Sequence, residues 1–383
     1  MGFGKGHHLH LIDGSAFIFR AYHALPPLTR KSDGLPIGAV SGFCNMLNRY
    51  IEDNDGPDAP THVAVIFDHS GHSFRNDVYD GYKANRPPAP EDLVPQFPLT
   101  REATKAFNIA CEEMEGFEAD DMIATLAFRA RDAGGRVTII SSDKDLMQLV
   151  GDGIEMYDAM KNKRIDIEGV FEKFGVYPDR VIDVQALAGD SVDNVPGAPG
   201  IGIKTAATLI NEFGDLDELL RRSDEIKQPK RRQALIDNEE QIKISRELVT
   251  LDCHTPLKFE LDDLEFSAPV PEKLLDFLTK MEFRTLTKRI AQKFDVKIPT
   301  SDTLDPDKNI IHSEQIPFDT KKYEHIKTSE QLQTWINKIY ETGYVAIDTE
   351  TTSLNDMLAE LVGISLVIEV GSACYIPISH KEG

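Results

Sequence analysis

The sequence predicts an α/β fold: a central, mostly parallel sheet flanked by helices. Short runs rich in Val and Ile recur through the first half, and stretches of helical periodicity separate them. Each run also delivers aspartates at its end or just beyond it. Short apolar runs of this kind read as strands of a parallel sheet buried on both faces. Their alternation with helices gives the α/β class. The runs are Leu9-His10-Leu11-Ile12 before Asp13, Val63 to Phe67 before Asp68, and Val137 to Ile140 shortly before Asp143 and Asp145. Ligands of such sheets sit beyond the carboxyl ends of the strands. Two further acidic groups, Glu118 with Asp120 and Asp121, and Asp190 with Asp193, lie between or after the runs. So many carboxylates share a pocket only if cations neutralise them, because each ionised neighbour makes the next ionisation costlier. The pattern implies a multi-metal site for hard divalent ions.

The remaining elements follow in order. Ala39 to Ile51 has helical spacing. Residues 70–105 pass from basic and aromatic residues into Pro87, Pro88, Pro90, Pro95 and Pro98, which excludes a long helix through the middle and predicts an exposed arch. Met122 to Ala133 reads as a helix that stops at Gly134-Gly135. Beyond residue 186 the strand signal fades. Thr205 to Phe213 and Arg231 to Leu248 have helical patterns. Gly200-Ile201-Gly202 followed by Ala206 fits a helix-hairpin-helix, whose glycines let backbone N–H groups approach phosphates. Pro299, Pro306 and Pro317 among polar residues mark a linker. A helix from Ser329 to Tyr340, a strand from Tyr344 to Ile347, then Asp348 and Glu350, and an apolar run from Leu361 to Ile368 open a new pattern. The expected plan is an α/β domain over 1–185 with its arch at about 70–105. A helical subdomain over 186–295, a linker over 296–325 and a truncated α/β piece over 326–383 follow.

Bulk composition narrows the class. The 383 residues are 41% hydrophobic and 28% charged, as in ordinary soluble domains. No apolar run approaches the roughly 20 residues that span a bilayer. The N-terminus lacks the apolar core of a secretory signal. Four cysteines, far apart and without a C-x-x-C pair, argue against structural zinc and a disulfide framework, so a reducing cytoplasm fits. The net charge of −22 alone argues against nucleic acid, but part of it belongs to the metal carboxylates. Local basic groups count for more: Arg20, Arg30 and Lys31, then Arg75, Lys83 and Arg86, then Lys227 to Arg232. His7, His8 and His10 invite a metal reading, but a strand puts only alternate residues on one face, and the lone Trp335 reads as core.

The stretches LIDGSAFIFRAYHALPPLT (11–29), FRNDVYDGYKANRPP (74–88), GFEADDMIATLA (116–127), SSDKDLMQLV (141–150) and GDSVDNVPGAPGIGIKTAA (189–207) together resemble the 5′-nuclease domain of bacterial family A DNA polymerases, within the flap endonuclease family. The resemblance covers residues 8–290 in order and spacing. The tail from 328, with DTET at 348–351, resembles the start of a ribonuclease H-like 3′-5′ exonuclease domain, with Asp348 and Glu350 as metal ligands of an incomplete set.

The resemblance implies a structure-specific 5′-3′ exonuclease and flap endonuclease acting by two-metal hydrolysis. Asp13, Asp68, Glu118, Asp120, Asp121, Asp143, Asp145, Asp190 and Asp193 would hold two or three Mg²⁺ or Mn²⁺ ions, several through water. Asp121 and Asp193 are the first candidates for a purely structural part. Arg20, Lys83 and Arg86 would neutralise the scissile phosphate, with Tyr82 offering a ring to a base. Gly200, Gly202 and Lys204 would hold duplex backbone, with K⁺ at the hairpin. The implied partners are DNA with a 5′ flap, nick or 5′ end and RNA–DNA primer junctions, met by a monomer in the cytoplasm, near the nucleoid, and not by a membrane. Two alternatives stand beside this: a catalytically silent DNA-junction-binding module, and a PIN-like ribonuclease.

Overall fold

The computed structural model describes residues 2–56, 58–159, 161–298, 323–342, 345–353, 358–369 and 371–378. The expected linker lies almost wholly outside them, as does Tyr344. The chain divides into two compact units after Pro299.

The first unit is built on six strands: β1 (His8–Asp13), β2 (His62–Ser73), β3 (Ala110–Gly116), β4 (Arg136–Ile140), β5 (Ile154–Asp158) and β6 (Lys163–Ile165). Their order is β3-β2-β1-β4-β5-β6, parallel except for β6. The chain winds outward from β1 through β2 to β3, then returns to place β4 on the other side of β1. The gap between β1 and β4 is thus the point where strand order reverses, where open sheets bind ligands.

The apolar runs are continuous because both faces are covered. Alternate residues serve opposite cores: Leu9, Leu11, Ala64, Ile66, Val137 and Ile139 face one, and Ile12, Val63, Val65 and Phe67 the other. The second core is closed by α1 (Gly14–Ala24), α2 (Gly38–Asp53) and a later helical pair. After β2 come a short α3 (Phe74–Val78) and α4 (Gln96–Ala106), then α5 (Ala119–Asp132) after β3. The first core is closed by α5, α6 (Ile167–Phe174), α7 (Val181–Ala188), α8 (Ile203–Phe213), α9 (Leu216–Arg221), α10 (Pro229–Asp237) and α11 (Glu239–Val249).

Three expectations change. The helical region does not stand apart, because α12 (Pro271–Lys280) and α13 (Arg284–Phe294) return to pack on the second core of the sheet. The helix expected over 231–248 is two helices that break at Asn238. The arch is shorter than 70–105. β2 runs on past Asp68 to Ser73, and residues 96–106 form α4, whose Gln96, Thr100, Ala103 and Thr104 are buried. Pro98 is tolerated because it falls in the first turn of α4, where its missing N–H costs nothing. Only residues 79–95 lie outside regular elements in this stretch.

In the second unit, α14 (Ser329–Thr342) packs Trp335 against Leu366, Ile368 and Cys374. Its sheet is β7 (Glu324–His325), β10 (Ser372–Pro377), β9 (Leu361–Glu369) and β8 (Ala346–Thr351) in that spatial order. Trp335 is core, as its position in the helix implied.

Candidate metal centre

The strands bring the predicted carboxylates to one edge. Asp13 ends β1, Asp68 lies on β2 two residues beyond the partner of Asp13, and Asp143 and Asp145 follow β4. Glu118 is the N-cap of α5, immediately after β3.

Hydrogen bonds fix each group. Asp13 caps α1 by accepting from the Ala16 N–H at 2.9 Å, and its other oxygen accepts from Ser141 Oγ at 2.8 Å. That second bond ties β1 to the end of β4 across the reversal point. Asp68 accepts from Ser15 Oγ at 2.6 Å and from the Ala119 N–H, the first of α5, at 2.9 Å. Glu118 accepts from Lys83 Nζ at 2.8 Å, Ser73 Oγ at 3.1 Å and Tyr82 OH at 3.2 Å. Asp145 accepts from Gln185 Nε2, and Asp143 from the Asp145 N–H at 2.9 Å. Asp190 accepts from Lys144 Nζ at 2.5 Å.

Asp120 differs from all of these. No described residue donates a hydrogen bond to its carboxylate, yet Asp143, Asp13, Asp68 and Glu118 surround it. Burial, and then those four carboxylates, push its pKa well above the ordinary range. Burial also raises Asp13 to about 6, against the pull of its two donors, and raises Asp145 to about 7 with help from Asp143. Burial works the same way on Glu118 and Asp190, but Lys83 and Arg75 outweigh it at the first and Lys144 at the second, so both lie below the ordinary range. A carboxylate without donors among other carboxylates is what a divalent cation stabilises. Among the described residues, no three such side chains converge tightly enough to enclose an ion directly.

The raised values have a consequence for stability. Asp13 and Asp145 titrate near 6 and 7 in the fold, against an ordinary 3.8. The folded chain therefore holds these protons more tightly than the unfolded chain. The stability they contribute is complete below the ordinary value and is lost as pH rises through 6 to 7. In EDTA, the urea midpoint is expected to fall between about pH 5 and about pH 8. Added Mg²⁺ is expected to raise the midpoint at the higher pH, and a flat profile in EDTA would contradict the reading.

Several predicted residues are placed differently. Asp121 is fully buried. Its oxygens accept from Arg75 NH1 and NH2 at 2.8 and 2.7 Å and from the backbone N–H groups of Glu118 and Asp252 at 3.1 and 2.9 Å. No lone pair remains for a metal. Tyr82 is 5% exposed and packs in the first core, so its ring is not available to a base. Asp193 is paired with Arg86 and lies 3.8 Å from Lys83 Nζ. Arg20 makes no ion pair with any described residue and lines a cleft with His10, Tyr50 and Tyr157. His8 bonds Thr138 Oγ1 and His10 bonds Tyr50 OH, both at 2.8 Å inside the fold, as core residues. Asp348 and Glu350 lie two residues apart on the exposed strand β8.

Sequence reasoning missed the supporting residues. Arg75, 1% exposed, also donates to the Leu248 and Thr250 carbonyls and so joins α3, α5 and α11. Its place in FRNDVYDGYKANRPP was visible, but burial was not. Lys144 and Ser141 stand inside SSDKDLMQLV, but the carboxylates they donate to, Asp190 and Asp13, lie far away in sequence.

The hairpin between α7 and α8 matches expectation. Gly200 is exposed with φ +76, a left-handed backbone that a side chain would strain. Gly202 is the N-cap of α8, and a Cβ there would meet nothing. Lys204 is exposed in the first turn of α8.

The sequence profile of the 5′-3′ exonuclease N-terminal resolvase-like domain matches residues 8–175, and that of the 5′-3′ exonuclease C-terminal SAM fold matches 176–272. A 3′-5′ exonuclease profile matches residues 323–383. DNA polymerase I of Rhizobium leguminosarum is 48% identical, over 99% of this chain but 44% of its own length, so the chain spans less than half of that relative. The structure of the bacteriophage T5 flap endonuclease in a pseudo-enzyme–product complex with DNA and metal ions shares the fold. Its TM-score is 0.53 at 22% identity, covering 74% of this chain and 98% of that one. The 5′-3′ exonuclease of Aquifex aeolicus is 35% identical over 75% of this chain and 96% of its own length. Matched along nearly the whole of that relative, with the carboxylates at the sheet edge where the fold delivers them, the chain belongs to the 5′-3′ exonuclease family.

Proposed function

We propose that the chain is a structure-specific 5′ nuclease that hydrolyses DNA, and the RNA of primer junctions, at 5′ flaps, nicks and 5′ ends. The donor-free carboxylate of Asp120 among its acidic neighbours carries this reading. Asp120, Glu118 and Asp68 would hold one Mg²⁺ or Mn²⁺ ion, and Asp145, Asp143 and Asp190 a second, with Asp13 acting through water. Bound there, the ions would supply an activated water and neutralise the leaving oxygen. The chain's own residues do the rest. Ser141, Ser15 and Gln185 hold Asp13, Asp68 and Asp145 in place. Lys83 and Arg86 are within one loop of the cluster and supply positive charge for the scissile phosphate. Arg20 stays in the proposal as a guanidinium on α1 with no ion-pair partner among the described residues.

The α7–α8 hairpin would hold duplex backbone through its N–H groups and Lys204, without reading bases. Potassium at this hairpin rests on the family resemblance, and duplex affinity in K⁺ against Li⁺ checks it. Lys204→Ala is expected to weaken duplex binding equally across sequences and to reduce the salt slope by about 1. An unchanged slope would remove Lys204 from the interface.

Among the described residues, no helix is long and apolar enough to cross a membrane. We place the activity in the cytoplasm, on a monomer. The test of function is a 5′-flap duplex labelled at either end, incubated with Mg²⁺ or EDTA. Cutting at the flap junction only with Mg²⁺ supports the reading. Tight junction binding without cutting would favour the silent binding module, and preferential cutting of single-stranded RNA the PIN-like ribonuclease.

A further inference from the structure

The lysines of this site already neutralise the carboxylates that divalent ions would use. Lys83 Nζ lies 2.8 Å from Glu118 Oε1 and 3.8 Å from Asp193 Oδ2. Lys144 Nζ lies 2.5 Å from Asp190. The same residues strap two loops together. The Lys83 N–H donates to the Asp193 carbonyl at 2.9 Å, Asn85 Nδ2 to the Ser191 carbonyl at 2.8 Å, and Asn194 Nδ2 to the Gly81 carbonyl at 2.6 Å. Arg86 closes on Asp193. Lys83 holds left-handed backbone at φ 54, uncommon for a long side chain, and Asn194, a residue that takes this conformation readily, holds it at φ 57. Glu118, Asp120, Asp145, Asp190 and Asp193 line one cleft with Tyr82.

We infer that residues 81–86 and 190–195 form a cation-exchange latch. Divalent ions draw Glu118 and Asp190 away from Lys83 and Lys144. The strap then loosens, and Lys83 and Arg86 are released toward phosphate. Release starts at Lys83 because Tyr82 is anchored in the core, with its hydroxyl on the second oxygen of Glu118. Metal loading and readiness for phosphate become one event. The inference rests on the metal-nuclease reading above, and it adds an order: the phosphate-binding cations stay docked until the ions arrive.

The test uses the full chain without DNA. Hydrogen exchange is followed over residues 83–95 with and without Mn²⁺, and Mn²⁺ affinity is measured by calorimetry. The proteins are wild type, Lys83→Met and Asn85→Ala. Asn85 is exposed and uncharged, so Asn85→Ala loosens the strap without changing the charge of the site. A latch closed about nine-tenths of the time lowers apparent affinity about tenfold. Both variants are therefore expected to bind Mn²⁺ more tightly, Asn85→Ala by a few fold and Lys83→Met by more. Mn²⁺ is expected to speed exchange at Lys83 and the residues after it. Slowed or unchanged exchange there overturns the latch. So does a gain confined to Lys83→Met, which would be a plain effect of charge. Absence of Mn²⁺ binding by wild type would instead sink the metal-nuclease reading and the latch with it.

Discussion

Asp120→Asn is expected to abolish metal-dependent cleavage and, in the same protein, to stabilise the metal-free fold. The two effects have one cause. The Asp120 carboxylate receives no hydrogen bond from a described residue, so its removal orphans no donor. It stands among Asp143, Asp13, Asp68 and Glu118, so its removal relieves repulsion. In EDTA the melting temperature is expected to rise by about 2 °C or more, the shift that about 1 kcal/mol produces in a domain of this size. With Mg²⁺, if Asp120 holds an ion as proposed, its loss is expected to remove several kcal/mol of transition-state stabilisation, about a thousandfold or more in kcat. Calorimetric melting and single-turnover cleavage check the pair. A variant that melts lower would mean that Asp120 has a structural partner and is not the empty acceptor at the centre of the cluster.

Arg75→Ala is expected to cost about 3–5 kcal/mol of stability, the penalty for stranding a buried charge. The stranded group is Asp121, with no exposed surface and a bidentate grip on the Arg75 guanidinium. Asp121 also accepts from the backbone N–H groups of Glu118, at the N-terminus of α5, and of Asp252. Replacing both partners, as Arg75→Met with Asp121→Leu, is expected to cost much less than the sum of the single changes. Urea unfolding of the four proteins measures this. If Asp121→Asn instead weakened Mn²⁺ binding and left the urea midpoint alone, Asp121 would belong with the metal ligands after all.

The contrast between Asp120 and Asp121 shows how far the sequence could be read. Adjacent carboxylates on the first turn of α5 look alike as letters. Helix geometry turns them about 100° apart, one toward the cleft and one toward Arg75. The parallel sheet and its loaded edge were legible, because a buried strand and a carboxyl-terminal aspartate both leave local marks. What the sequence hid was non-local. Tyr82 looked like a loop residue because its loop is rich in Lys, Arg and Pro, but the core reaches out to bury it. The N-terminus of α5 lies three residues before Met122, because the polar residues Glu118 and Asp121 form its capping box. The return of α12 and α13 to the sheet depended on packing across more than 200 residues, which no local pattern encodes.

The most direct measurement is anomalous scattering from crystals of the protein soaked in Mn²⁺. The expected result is density for ions within the cluster, with Asp120 in contact with at least one and Asp121 with none. Ions bound only elsewhere, for example at Asp348 and Glu350, or a cluster that stays without metal at millimolar Mn²⁺, would contradict the assignment of this edge of the sheet as the metal centre.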